Sequence, residues 1–189
     1  GSTELITDVA CSQLVPGLVD GLVGPDARTF APGAEVIAVI DSDGNRHVVE
    51  SRKAPRGRRI ETVREVIEAP TKNVVQRADG HEFHFPPTAF WQAHIAAPDT
   101  YTRIAREWLA QASGDSAQRD DARVDANEPI VAWDLYGGVG LFVPALAEVT
   151  APQRGRATVY SVDYSPAASG SQPGLEGIDV EFRTAKVEE

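Results

Sequence analysis

The chain has a single cysteine, Cys11, in 189 residues, so it can form no internal disulfide. One thiol suits a reducing compartment, and a cytoplasmic location is the expectation. No run of about 18 consecutive apolar residues occurs, which leaves nothing long enough for a membrane-spanning helix. A secretory signal is also missing, and the opening Gly1-Ser2 looks like a tag-cleavage scar. Cations are scarce: 18 Lys and Arg stand against 28 Asp and Glu, giving a net charge of -10 and a pI near 4.9. A general nucleic-acid binder carries the opposite balance, so any contact with RNA has to come from a local patch. Arg52, Lys53, Arg56, Arg58 and Arg59 supply one, in a stretch broken by Pro55 and Gly57. Residue type alone makes this run equally a patch for phosphates or a solvated hairpin loop. Metal ligands are few. His81 and His84 have an odd spacing that sends them to opposite faces of a strand, and no set of ligands with metal spacing is present.

What the chain does hold is 42% hydrophobic residues, enough for one large domain or two small ones. Leu14, Leu18 and Leu22 recur every four residues and predict a short amphipathic helix ending at Gly24-Pro25. The period then changes. Glu35 to Ile40 is rich in β-branched residues, and Asp43-Gly44 is a hairpin turn leading into His47-Val48-Val49. Thr62–Ile67, Asn73–Gln76 and Glu82–Phe85 are further short strands. Residues 1–90 therefore read as an α+β domain with an antiparallel sheet.

Pro86-Pro87 interrupts the pattern, and residues 91–189 read as a second domain. After Pro98, Tyr101, Ile104, Ala105, Trp108 and Leu109 follow helical spacing. Residues 113–128 are polar and predict a flexible surface loop. Pro129 to Asp134 is a buried-strand pattern, followed by the turn Leu135-Tyr136-Gly137-Gly138-Val139-Gly140. The next helix, Leu141 to Val149, must begin close to Gly140, because Pro144 is tolerated only in a first turn. Ala157–Val162 and Ile178–Phe182 predict two more strands. Strand, glycine turn, helix, strand is the βαβ opening of a doubly wound, Rossmann-like parallel sheet.

Three constellations carry chemistry. Asp134 with Gly138-Val139-Gly140 lets the backbone turn sharply against a ligand. The spacing departs from both the dinucleotide fingerprint and the phosphate loop, and suits an adenosine without a pyrophosphate. Asp163 ends the next strand, where a carboxylate can accept both ribose hydroxyls. Phe90-Trp91-Gln92-Ala93-His94 sets aromatic rings beside an amide, groups that can stack and hydrogen-bond an extruded base.

In this order, Phe90-x-Gln92, the following helix, Asp134 to Phe142 and Val162-Asp163 resemble the RNA (uracil-5-)-methyltransferases, which are class I S-adenosylmethionine-dependent enzymes. The likeness runs over nearly the whole chain, with Cys11, Leu14, Pro16 and Leu18 resembling the start of that family's central domain. It implies a truncated Rossmann-like methyltransferase domain behind the antiparallel one. It also implies that Phe90 and Gln92 meet the uracil, with Gln92 reaching the cofactor as well. Asp134, Tyr136, Gly137, Gly138 and Gly140 would cradle S-adenosylmethionine, and Asp163 its ribose. The implied partner is RNA, tRNA or rRNA, with no membrane and no protein partner inferred. His94 stands where the family often has Asn, Gly137 where it often has a small non-glycine residue or Cys, and Asp163 replaces the commoner Glu. Cys11 resembles the last of four cysteines that bind an iron–sulfur cluster in some members. Alone it cannot hold one, and it reads as a small buried hydrophobe.

The family's chemistry adds a cysteine thiolate to uracil C6, moves the methyl group to C5 and removes the C5 proton with a carboxylate base. The resemblance puts nucleophile and base beyond an Asp-Pro-Pro-Arg segment that this sequence does not contain. The chain is therefore expected to be a fragment, by design or by proteolysis, with no catalytic residue of its own and weak or absent cofactor binding. Two alternatives stay open: a non-catalytic adenosylmethionine- or RNA-binding module, and a methyltransferase acting on a substrate other than RNA.

Overall fold

The computed structural model describes residues 11–57, 59–117, 130–154, 157–165 and 172–187. The chain divides into two compact units, Gly1–Val74 and Val75–Glu189.

The first unit is built on an antiparallel sheet of β1 (Glu35–Ile40), β2 (Arg46–Arg56) and β3 (Arg59–Glu68), in the order β1-β2-β3. Asp41 shapes the expected turn after β1, its carboxylate accepting from the Asp43 N–H at 3.0 Å and the Asn45 N–H at 2.8 Å. Burial pushes that carboxyl up, but the hydrogen bonds from Asn45, His47 and Asp43 outweigh it and hold Asp41 below its ordinary range. Pairing with β1 stops at Glu35 opposite Ser51. Beyond that point β2 and β3 pair only with each other, as a two-stranded ribbon. Pro55 is compatible with the ribbon because one edge of β2 no longer needs a donor there.

The helix expected over Leu14–Leu22 is absent. Gly17, Gly21 and Gly24 adopt left-handed φ of +82°, +68° and +101°, and each such step breaks a right-handed helix. What remains are separate turns, such as Leu14 N–H to the Cys11 carbonyl and Leu18 N–H to the Val15 carbonyl. Arg46 ties this segment to the sheet. Its Nη1 donates to the Gly17 and Asp20 carbonyls at 3.0 and 2.7 Å, while Nη2 lies 2.7 Å from Glu68.

The second unit carries the hairpin β4 (Val74–Ala78) and β5 (His81–Phe85), then helix α1 (Ala97–Ala117). A three-stranded parallel sheet follows, made of β6 (Ile130–Leu135), β7 (Ala157–Asp163) and β8 (Val180–Thr184) in that order. Helix α2 (Val143–Arg154) links β6 to β7 and has Pro144 in its first turn, as the missing proline N–H requires. Ala132 and Asp134 of β6 are buried, whereas Val131, Trp133 and Leu135 on the alternate face are about half exposed. On that face Trp133 stacks on Tyr160 at 5.0 Å between centroids, and the Arg183 guanidinium lies 4.6 Å from the Tyr160 ring centre.

The hairpin β4–β5, which the sequence groups with residues 1–90, is fastened within the compact unit Val75–Glu189. The buried Gln172 accepts from the His84 N–H at 2.7 Å, and His81 Nδ1 lies 2.7 Å from the Gly174 carbonyl. A side chain at Gly174 would overlap the Glu82 backbone. Arg106 on α1 pairs with Asp79 at the hairpin turn and, at 2.7 Å, with Glu148 on α2. Asp99 accepts the Asp79 N–H at 2.7 Å. The apolar stripe expected on α1 is only partly inside: Tyr101 and Trp108 are exposed, and among the described side chains of α1 Ala97, Pro98 and Thr102 are buried. Residues 113–117 continue α1 rather than starting the expected loop; 118–128 lie outside the described residues. Among the described residues no helix is long and apolar enough to cross a membrane.

Candidate functional site

Two adjacent parallel strands, β6 and β7, end side by side, with Asp134 opposite Ser161 and Leu135 opposite Val162. The glycine turn leaves the end of β6 in left-handed steps. Tyr136, Gly138 and Gly140 have φ of +60°, +57° and +87°. For a tyrosine this conformation is strained, and such residues collect at functional sites.

Asp134 points inward and is 6% exposed. Ser161 donates its hydroxyl to Asp134 Oδ2 at 3.1 Å. Burial pushes the Asp134 carboxyl up to about 6; the Ser161 hydrogen bond opposes the rise and the charge of Asp163 adds to it. Gly137 fills the space above this pair without a side chain. A Cβ there would overlap both Ser161 Oγ and the Asp134 carboxylate. At Gly140 a Cβ would stand 3.2 Å from the Phe182 ring and from Val143 Cγ2, so Gly140 serves close packing as well as its turn.

Asp163 is not simply a free acceptor at a strand end. Its Oδ2 accepts the Gly138 N–H at 3.0 Å and its Oδ1 accepts the Ser165 N–H at 2.6 Å. The carboxylate thus ties the glycine turn to the end of β7, and each oxygen keeps a second lone pair. Among the described residues, no Lys or Arg side chain pairs with Asp134 or Asp163. Beside Asp134, a mainly apolar cavity of about 500 Å³ is lined by Trp108, Leu109, Trp133, Asp134, Phe142 and Leu146, among others.

The chain is 50% identical to an uncharacterized RNA methyltransferase of Corynebacterium glutamicum, over 99% of this chain and 42% of that protein. It is also 26% identical to the 23S rRNA (uracil(747)-C(5))-methyltransferase RlmC of Halothiobacillus neapolitanus, over 62% of this chain and 26% of that protein. The chain is thus similar, over nearly its whole length, to proteins named as RNA methyltransferases. It spans about two fifths of the length of its Corynebacterium relative. No family model matches it. A solved structure, the tRNA (uracil-54, C5)-methyltransferase of Pyrococcus abyssi with S-adenosyl-L-homocysteine, aligns at a TM-score of 0.44 and 18% identity, covering 75% of this chain and 31% of that one. That likeness is too slight to add to the sequence relatives.

Within the second unit the structure brings together Asp134, Tyr136, Gly137, Gly138, Gly140 and Asp163. Phe90 and Gln92 lie apart from them in sequence, in the irregular segment ahead of α1. Phe90 is 74% exposed and Gln92 is half-buried, its side chain making no hydrogen bond among the described residues. Trp91, read with them as a base-stacking candidate, is instead a packing residue: its ring meets Phe83 and Phe85 at 5.5 and 5.3 Å. The basic run belongs to the first unit and is not simply a loop. Arg52, Lys53 and Arg56 are in β2 and Arg59 opens β3, while Arg58 lies outside the described residues. Cys11, read as a small buried hydrophobe, is exposed. No cluster of metal-ligating side chains occurs among the described residues. Ser161 was not legible as a site residue. Its one signal is strand parity, which sets position 161 on the face of β7 that Asp134 shares on β6.

Proposed function

We propose that this chain carries the cofactor-binding turn of an S-adenosylmethionine-dependent enzyme that methylates C5 of uridine in RNA. The observation that carries the reading is the pair Asp134 and Asp163 beside one glycine turn, Asp163 accepting its Gly138 N–H and Asp134 buried against Ser161, in a chain half-identical along its length to an RNA methyltransferase. Two carboxylates beside one turn, unneutralised by any cation among the described residues, fit a ligand that is itself cationic. S-adenosylmethionine has an ammonium and a sulfonium group, and a positive charge near Asp134 would oppose the rise that burial causes.

When bound, that cofactor supplies the methyl group. The chain's own part is binding and orientation. Asp134 would hold the cationic end of the ligand, its carboxylate aimed by Ser161. Gly138 has open space where a side chain would stand, so a ligand can approach its backbone. Asp163 still has lone pairs for ribose hydroxyls. The exposed ring of Phe90 is available to stack on a base, with Gln92 as the amide that reads its edge. A nucleophile for uracil C6 is not supplied by this stretch, so the chain alone is expected not to turn over.

The test is transfer of labelled methyl groups from S-adenosylmethionine to tRNA and rRNA transcripts by the full-length natural protein. The product is identified by mass spectrometry of the nucleosides. The expected product is 5-methyluridine. Methylation of another base, or of no RNA, would sink the reading.

A further inference from the structure

The ribbon beyond Ser51 is the part of the first unit with the most unusual charge. Five of the chain's 18 cations fall within residues 52–59, where there is no acidic residue. Glu61 is the one acid between 52 and 64, and Arg64 adds a sixth cation. Arg52, Lys53, Arg59 and Arg64 sit on strands, so strand pairing decides where they face. Lys53 pairs with Thr62 and Ser51 with Arg64, which sets Lys53 and Arg64 on one face; Arg52 pairs with Val63 and Arg56 with Arg59, which sets Arg52 and Arg59 on the other. Lys53 Nζ donates to Thr62 Oγ1 at 2.9 Å, leaving two of its three protons. Arg52, Arg59 and Arg64 are exposed and make no ion pair among the described residues. Every position from Arg59 to Val66 is exposed.

We infer that this β2–β3 ribbon is an RNA-gripping element that binds phosphates on both of its faces, with Arg52 and Arg59 on one side and Lys53 and Arg64 on the other. The inference rests on the RNA substrate class proposed above. A chain with net charge -10 repels a polyanion at long range, but screening limits that repulsion to about 8–10 Å at physiological salt. Inside that range the local cations decide. A lipid surface would be met by one face of a ribbon, whereas cations on both faces suit a strand that wraps it. The major groove of A-form RNA is too narrow to admit a ribbon, so the segment gripped is an unpaired loop or a splayed strand.

The test compares the full-length natural protein with its R52Q/K53Q/R59Q/R64Q variant, titrating a fluorescein-labelled hairpin RNA with a uridine-rich loop across a salt series. Loss of four phosphate contacts should lower the slope of log affinity against log salt by about 3 and weaken binding at least about tenfold. Affinity for S-adenosylhomocysteine and the denaturation midpoint should not change. The charge-keeping variant R52K/R59K/R64K should retain the slope. Unchanged affinity and slope in the glutamine variant would overturn the inference. So would an equal loss in the lysine variant, or binding to phosphatidylserine vesicles in place of RNA. If the wild-type protein grips RNA through the ribbon yet makes no 5-methyluridine, the proposed reaction fails and the ribbon stands. If 5-methyluridine forms at an undiminished rate in the glutamine variant at limiting RNA, the reverse holds.

Discussion

Glycine turns end two of this protein's strands, and they use the residue for different reasons. At the tip of the ribbon, Gly57 has φ of +62° and open space where a Cβ would stand. Only its backbone freedom matters there. At the end of β6, Gly137 has no left-handed φ, yet a Cβ would overlap Asp134 and Ser161. Only its lack of volume matters there. The ribbon is an exposed, locally determined structure whose content is charge. The β6 turn is a packed structure whose content is geometry, and burial there changes the chemistry of a carboxylate. A substitution should therefore cost only backbone strain at Gly57, whereas at Gly137 it must displace packed side chains.

The strongest way to break this contrast is Gly137→Ala. The added methyl must displace the Asp134–Ser161 pair, and overpacking a tight site costs about 3 kcal/mol or somewhat less. Urea denaturation should register a lowered midpoint together with weaker S-adenosylhomocysteine binding. A neutral result would mean that the turn is as loose as the ribbon tip.

Asp134→Asn comes next, with the opposite sign. The folded carboxyl at about 6 lies above its ordinary value of 3.8, so between those pH values the folded state holds more protons than the unfolded. Stability then falls as pH rises from about 4 to 6 and stays low above that. Two pH units correspond to about 3 kcal/mol at most. The asparagine variant should be the more stable protein at pH 8 and no more stable at pH 4, while binding cofactor less well. Thermal melts at the two pH values check this, and an equal shift at both would remove burial as the cause.

The smallest effect is expected on the ribbon. Ile60 is 75% exposed, and Ile60→Ser should change the denaturation midpoint by no more than about 0.5 kcal/mol. A large loss would show that the ribbon packs against something and is not a free arm.

Much of this was legible in the sequence where the cause is local. β1 occupies the residues its β-branched run predicts, and Asp43-Gly44 makes its turn because one side chain, Asp41, satisfies the nearby N–H groups. Pro144 limits the start of α2 through its missing N–H. Failures came where a local pattern had competing causes. Three leucines at helical spacing were overridden by three left-handed glycines. The stripe on α1 was half right, since Tyr101 and Trp108 share the period but not the covered face. Trp91 stood beside Phe90 and Gln92 in sequence, yet strand β5 draws its ring away to Phe83 and Phe85.

By itself, the sequence determined which backbone segments turn, pair or coil, and where the cations gather, because each of these depends on a few neighbouring residues. It also carried the resemblance to the RNA (uracil-5-)-methyltransferases, through the order of Phe90-x-Gln92, the glycine turn and Asp163. Only the tertiary structure decided that Ser161 aims Asp134, that Asp163 ties down Gly138, and that the hairpin β4–β5 is fastened by Gln172 and Arg106. Those contacts join residues up to 88 positions apart. They depend on strand register and burial, which no short stretch of sequence encodes.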